Sequence, residues 1–398
     1  MIALVRAGLV LLCAAGAWAG GPGWNPEDIW NWHNLRDPQI SPDGRHVAYL
    51  DEWNDRAIDA KCANLWLVTI GDKQARRLTD GAWRDRSPRW SPDGTRIAWI
   101  SGRGGIHVLA LDSGQEGAIE AAPLEIAWSR DGQSIAFTAR VTAPIELPGW
   151  APPAILRWLV PQPHSHTAVF VAPASGGAAR ALTRPDFDAA GEPAWTRDGK
   201  SLLSASADGQ IYSVRLDDGS ARRLTNDSNR NESPLPSPDG SKIAWMATDS
   251  ALRSYSIRKL YVMNSDGSRV KLLAGALDRD PEDPHWSADS RTLYFLADDF
   301  GSTLVDASRN DSTVRQVTHG GERLRGFSLA DNGRAATVRS TGRAVEVVSF
   351  PVDMPPPAAV VLAAPMANSE KRSISLSFFF SMKRSGSQPF TSPAIFTR

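Results

Sequence analysis

One phrase recurs along this chain and restricts the fold more than any other feature. It reads approximately Pro-x-Trp-Ser-Pro-Asp-Gly-x-x-Ile-Ala-Trp, and it is clearest from Pro88 to Trp99. An earlier copy runs Pro38-Gln39-Ile40-Ser41-Pro42-Asp43-Gly44 and leads into Val47-Ala48-Tyr49. Later copies are Trp128-Ser129-Arg130-Asp131-Gly132, Trp195-Thr196-Arg197-Asp198-Gly199 and Pro236-Ser237-Pro238-Asp239-Gly240. Two are degenerate: Trp286-Ser287-Ala288-Asp289-Ser290, and Phe327-Ser328-Leu329-Ala330-Asp331-Asn332-Gly333. The aspartates at 43, 93, 131, 198, 239, 289 and 331 lie 50, 38, 67, 41, 50 and 42 residues apart.

The phrase has a mechanical reading. Pro sets the second position of a turn, Asp follows, and Gly takes the left-handed position that closes a hairpin between short apolar strands. A second signal follows several copies, a strand and then Arg-x-Leu-Thr, as at Arg76 to Thr79, Arg180 to Thr183 and Arg222 to Thr225. Each unit therefore offers about four strands in roughly 40–50 residues, the size of a propeller blade. A blade cannot bury both faces alone, so seven units are expected to pack around an axis with the repeated aromatic residues between them. A β-sandwich would not need seven such phrases. The expected fold is an all-β, seven-bladed β-propeller over residues 20–354, and 25–35 is expected to supply the strand that closes the ring with the last blade.

The long gap calls for an insertion at 141–166, where Pro144, Pro148, Pro152, Pro153, Pro161 and Pro163 exclude a regular central strand. Fifteen Trp, 32 Gly and 28 Pro suit short strands and tight turns. Lys+Arg and Asp+Glu both number 44, so no charge excess points to nucleic acid or to a polycation. Residues 1–19 read as a signal peptide: Arg6, an apolar stretch from Ala7 to Ala15, and an Ala17-Trp18-Ala19 cleavage site. The expected location is periplasmic or secreted, with no membrane span after cleavage. Cleavage leaves Cys62 as a lone thiol, expected to be a small apolar strand residue.

No chemistry-bearing constellation emerges. A Gly-x-Ser-x-Gly nucleophile elbow is absent, and Gly132-Gln133-Ser134-Ile135-Ala136, the nearest miss, belongs to a repeat turn. His164 and His166 could share one strand face toward zinc, but they lie in the Pro-rich insertion without a third ligand. Asp278, Asp280, Glu282 and Asp283 could offer oxygens to calcium, but lack the glycine-bearing spacing of a calcium loop, and a solvated turn is expected. The repeated aspartates are expected to serve turns, and Arg76-Arg77 and Arg222-Arg223 the blade surface. No catalytic residue, cofactor or metal ligand is assigned.

The Ser-Pro-Asp-Gly phrases resemble the propeller repeats of the TolB translocation protein and of the S9 (prolyl oligopeptidase) family. Further residues resemble the acylaminoacyl-peptidase-like and dipeptidyl-peptidase-like branches of the latter. They are Leu224-Thr225-Asn226-Asp227, Asn231-Glu232-Ser233-Pro234, Leu260 to Gly267, Ser287 to Phe295, and the Trp150-Ala151-Pro152-Pro153 insertion. The resemblance spans about 26–352. It implies a propeller that caps an α/β-hydrolase domain and admits small peptides to a Ser-Asp-His triad, so peptides or a hydrolase domain are the implied partners of its face. Only 43 residues follow Pro355, and the hydrolase domain is expected to be missing. From Met366 to Arg398 there are eight Ser, five Phe and one acidic residue. A tail over 355–398 that is frame-shifted, or else disordered, is the expectation. The other implied role is a TolB-like periplasmic protein-binding scaffold, though the additional N-terminal domain of TolB-like proteins has no room between Gly20 and Pro38.

Overall fold

In the computed structural model, residues 26–363 are described except 73, 143–164, 250–255, 300–301, 310–312, 320–322, 341–344 and 353–359. The expected signal peptide, most of the insertion with His164, and nearly all of the tail therefore lie outside the described residues. The chain is an all-β propeller. One 3-10 turn, Pro26–Asn31, is the only helical element among the described residues. The strands form seven four-stranded antiparallel sheets, each built from consecutive strands. We number the sheets 1 to 7 in chain order. Their first strands are His33–Ile40, Arg86–Trp90, Pro123–Trp128, Ala189–Trp195, Asn229–Pro236, Pro281–Trp286 and Arg323–Leu329.

The repeated phrase makes the turn between the first and second strands. Ser41 Oγ donates to Asp43 Oδ1 at 2.6 Å, and that oxygen accepts the Arg45 N–H at 3.0 Å. Gly44 sits at φ 70° and its N–H reaches Ser41 O at 2.8 Å. The pattern repeats at Ser91–Asp93, Ser129–Asp131, Thr196–Asp198, Ser237–Asp239 and Ser287–Asp289. In sheet 6 Ser290 takes the left-handed position, at φ 61°. In sheet 7 the acceptor is Asn332, one residue beyond the aspartate singled out by sequence, because Gly333 sits where Gly44 does. The Leu-Thr signal is also local bonding. Thr79, Thr183 and Thr225 Oγ1 accept the N–H of Leu65, Val169 and Ile211 on the neighbouring third strand, at 2.8–3.0 Å.

The core is seven apolar clusters, one at each seam between neighbouring sheets. At four seams a tryptophan of the phrase crosses over. Nε1 of Trp90, Trp128, Trp195 and Trp286 donates to Gln39, Arg89, Ala127 and Leu235 O of the preceding sheet, at 2.8–3.1 Å. Burying the indole and satisfying its N–H in one contact explains why Trp recurs.

Ring closure differs from expectation. The strand His33–Ile40 does not join the last sheet; it pairs with His46–Asp55 inside sheet 1. Its partner lies across a tight turn, and sheet 7 completes itself with Val360–Ala363, so neither sheet has a strand left to exchange. Side chains close the ring instead. Leu35, Ile40, Val47, Tyr49 and Val68 pack against Ala330, Ala336, Val338, Val347 and Leu362. Ile40 N–H donates to Ser328 Oγ at 2.9 Å, and Asn332 Nδ2 to Asp43 O at 3.0 Å. Strands run through Val141–His166 and Thr142–Ser165 pairing, so the insertion begins after Thr142 and ends before Ser165.

Candidate binding site at the channel mouth

The first strand of each sheet carries a bulge, and these bulges shape the site. The register of pairing shifts at Arg36/Gln39, Arg86/Arg89, Pro123/Glu125, Ala190/Ala194, Glu232/Leu235, Glu282/His285 and Arg325/Phe327. In four of these bulges a non-glycine residue directly before proline is left-handed: Asp37, Ser87, Ser233 and Asp283, at φ 47–53°. Sheets 4 and 7 use Gly191 and Gly326 there. An extra residue in a first strand re-aims the side chains beside it, and left-handed non-glycine residues are costly enough to cluster where geometry serves a site.

In and just past the bulges, titratable groups from five sheets converge. Arg89 of sheet 2 donates to Glu192 of sheet 4 through Nη2 at 3.0 Å and Nε at 3.3 Å, and lies 3.5 Å from Asp37 of sheet 1. Sheets 2 and 4 are not neighbours, so the guanidinium reaches past sheet 3, whose Glu125 lies 3.5 Å from Ser87 Oγ. Burial works against the Arg89 charge, but Glu192 and Asp37 hold it, and its pKa lies above the ordinary arginine value. Burial raises Asp37 above the usual carboxylate range, partly countered by Arg89. Burial and then the Glu192 charge raise Glu125. His285 of sheet 6, edge-on to Phe327 at 5.2 Å, is pushed down by burial and is therefore neutral at pH 7. Such a network positions a polar chain and restricts passage.

Just before the bulges the charges separate by sign. Sheets 7, 1 and 2 present Arg325, Arg36 and Arg86, whereas sheets 5 and 6 present Glu232 and Glu282. On the acidic side Arg258 lies 3.9 Å from Glu232, 3.9 Å from Asp280 and 3.2 Å from Glu282. Asp278 pairs with Arg279 at 3.2 Å. Two arginines thus partly offset the acidic cluster read from the sequence and leave that side net negative, and no metal-holding group of His, Cys, Asp and Glu occurs among the described residues. On the basic side a cavity of about 340 Å³ is lined by Asn34, Arg36, Arg84, Arg86, Asp85 and Arg325, among others.

His166 pairs with Val141 in sheet 3. Arg76-Arg77 and Arg222-Arg223 lie on the outer strands Ala75–Arg77 and Ala221–Arg223, and Cys62 is fully buried. Sequence reasoning missed Asp37, Arg89, Glu192 and His285. The available signal was the residue before each phrase-opening proline, since Asp37-Pro38, Ser87-Pro88, Ser233-Pro234 and Asp283-Pro284 all mark bulges.

No protein-family model matches the chain. Among curated proteins it is similar to the uncharacterized peptidase YuxL of Bacillus subtilis (strain 168), 24% identical over 82% of this chain and 56% of that one. It is also similar to dipeptidyl-peptidase 5 of Porphyromonas gingivalis, 21% identical over 78% of this chain and 52% of that one. The chain spans about half the length of these relatives. Among solved structures, Pyrococcus horikoshii acylaminoacyl peptidase superposes with a TM-score of 0.63 at 18% identity, over 85% of this chain and 54% of that one. The β-propeller domain of the trilobed protease from Pyrococcus furiosus, described as having an open velcro topology, gives 0.59 at 16% identity, covering 83% and 98%. The chain is a β-propeller related to the propellers of S9 peptidases, acylaminoacyl peptidase and dipeptidyl-peptidase 5 among them.

Proposed function

We propose that this chain is the seven-bladed, non-catalytic propeller portion of an exported S9-type serine peptidase, and that it limits access of peptides to a hydrolase domain docked on its mouth end. The observation that carries this reading is the distribution of exposed apolar side chains. Ile29, Trp32, Ile58, Trp83 and Leu124 are all exposed. Each lies in a connection or strand start at the end where the first strands begin, the end that also carries the opposed charges. The other exposed large apolar residues, Val270, Leu272, Val314 and Val361, lie on or next to outer strands, and an apolar arc along sheets 1 to 3 beside a polar opening fits a partner domain better than it fits solvent. The charged lumen beneath supports passage of extended peptides and not of folded chains.

The purified chain, incubated with acyl-peptide and aminoacyl chromogenic substrates, is expected to bind them in titration calorimetry and to turn none of them over. Turnover sensitive to a serine inhibitor, or failure to bind any oligopeptide, contradicts the proposal.

A further inference from the structure

The cavity between sheets 7, 1 and 2 has an excess of cations that its own carboxylates do not meet. Glu52 is shared by three of them: Arg84 at 3.0 Å, Arg36 at 3.8 Å and Lys61 at 3.9 Å. Asp37 is engaged by Arg89. Asp85 is fully buried, and its Oδ1 already accepts Gly102 N–H at 3.0 Å and Ser101 Oγ at 3.2 Å. Arg86 donates to two main-chain carbonyls of sheet 3, Leu124 O and Pro123 O, at 2.6 Å each, and makes no ion pair with a carboxylate, although the Glu125 charge acts on it from sheet 3. Arg325 makes no hydrogen bond or ion pair among the described residues. Burial, Arg323 and Arg36 depress its pKa and outweigh the opposing Asp298 charge, which places like charges close beside it. A protein that gathers such groups around a cavity leaves an anion to complete them.

A second observation narrows the ligand. Asp85 Oδ2 is buried and has no partner, so the same cavity is lined by an acceptor lacking a donor. A simple inorganic anion would worsen that site. A peptide end supplies both partners: a carboxylate for the arginines and, across the intervening Cα, an amide N–H for a carboxylate oxygen.

We infer that the cavity lined by Arg36, Arg86, Arg325 and Asp85 is a carboxylate-binding site that takes the free C-terminus of a peptide. The inference rests on the peptide-gating reading above and adds a direction to it. The basic side at sheets 7, 1 and 2 anchors the carboxylate, and the acidic side at sheets 5 and 6 repels it.

Titration calorimetry on the full chain tests this with three probes: acetyl-Ala-Ala, its C-terminal amide, and acetyl-Glu-Ala amide. The free acid is expected to bind, more weakly as salt rises. Both amides are expected to bind roughly tenfold or more weakly, the scale of one lost charge-assisted contact. Arg325→Gln should bring the acid down to the level of its amide, while Arg222→Gln, on the outer strand of sheet 4, should leave it unchanged. Equal binding of acid and amide, binding of neither, or no effect of Arg325→Gln overturns the site. Binding of acetyl-Glu-Ala amide as tight as the acid assigns the anion to acidic side chains and overturns the C-terminal assignment. Turnover of any probe would refute the non-catalytic function while leaving the site standing.

Discussion

The seams between sheets are not alike. Between sheets 3 and 4, Trp195 buries its ring and donates Nε1 to Ala127 O at 3.1 Å. Between sheets 7 and 1 no tryptophan crosses, because Ile40 occupies the corresponding place. That seam relies on small residues such as Ala330 and Ala336, on Ser328 accepting Ile40 N–H, and on a very close approach. A Cβ on Gly326 would meet Pro38 Cδ at 2.9 Å. A tryptophan clamp couples two sheets through area and a directed bond, whereas the closing seam couples them through fit. Fit is the more fragile device, since overpacking forces strain that an interdigitated contact cannot relax. A ring closed by strand exchange would hide this difference under a shared hydrogen-bond ladder. Here the first and last sheets meet by packing and a few single hydrogen bonds, with no shared ladder.

The largest effect is expected at the closing seam. Gly326→Val places a β-branched residue at φ 64° against Pro38. It should cost about 2–4 kcal/mol, from the left-handed backbone and overpacking together. Urea unfolding followed by far-UV circular dichroism measures it, and a cost near zero would mean that the seam is loose. Trp195→Phe tests the clamped seam. It keeps a ring but leaves Ala127 O unpaired, an expected loss of about 1 kcal/mol, with closing-seam amides unchanged in hydrogen exchange. Equal loosening of both seams would contradict their independence.

The smallest effect belongs to the turns, which are common to all sheets. Bonds from Ser237 and then from Ser241 hold the Asp239 carboxyl down at about 2. A group depressed in the folded state stabilises above its unfolded pKa of ~3.9 and loses that contribution as pH falls toward the folded value. Melting temperature should therefore drop between about pH 4 and pH 2. Asp239→Asn should melt close to the parent at pH 7, because Asn332 shows that an amide oxygen serves the same turn, and should flatten the acid slope. An unchanged slope would remove the turn aspartates from the account of acid stability.

The turns and the sheet order were legible because each is written in one contiguous phrase. Ser41, Asp43 and Gly44 lie within four residues and bond to one another. The tryptophans were legible as filling between units, but not the direction of their N–H, which depends on where a neighbour's carbonyl falls. Ring closure was misread because sequence marks a strand without marking its partner, and His33–Ile40 found one just across a turn. The site was the least legible part. Arg89 and Glu192 are 103 residues apart, and the ring geometry alone brings them together. What the sequence did carry was the residue before each proline, the mark of the bulges that aim Asp37 and Asp283.

Native-state hydrogen exchange read by mass spectrometry tests the closing-seam claim most directly. Amides in the first strands of sheets 1 and 7, Ile40 included, should open together and at lower free energy than those of sheets 2 to 4. Gly326→Val should speed the first group alone. Equal protection all round the ring, or a first strand of sheet 1 that opens last, would contradict closure by packing.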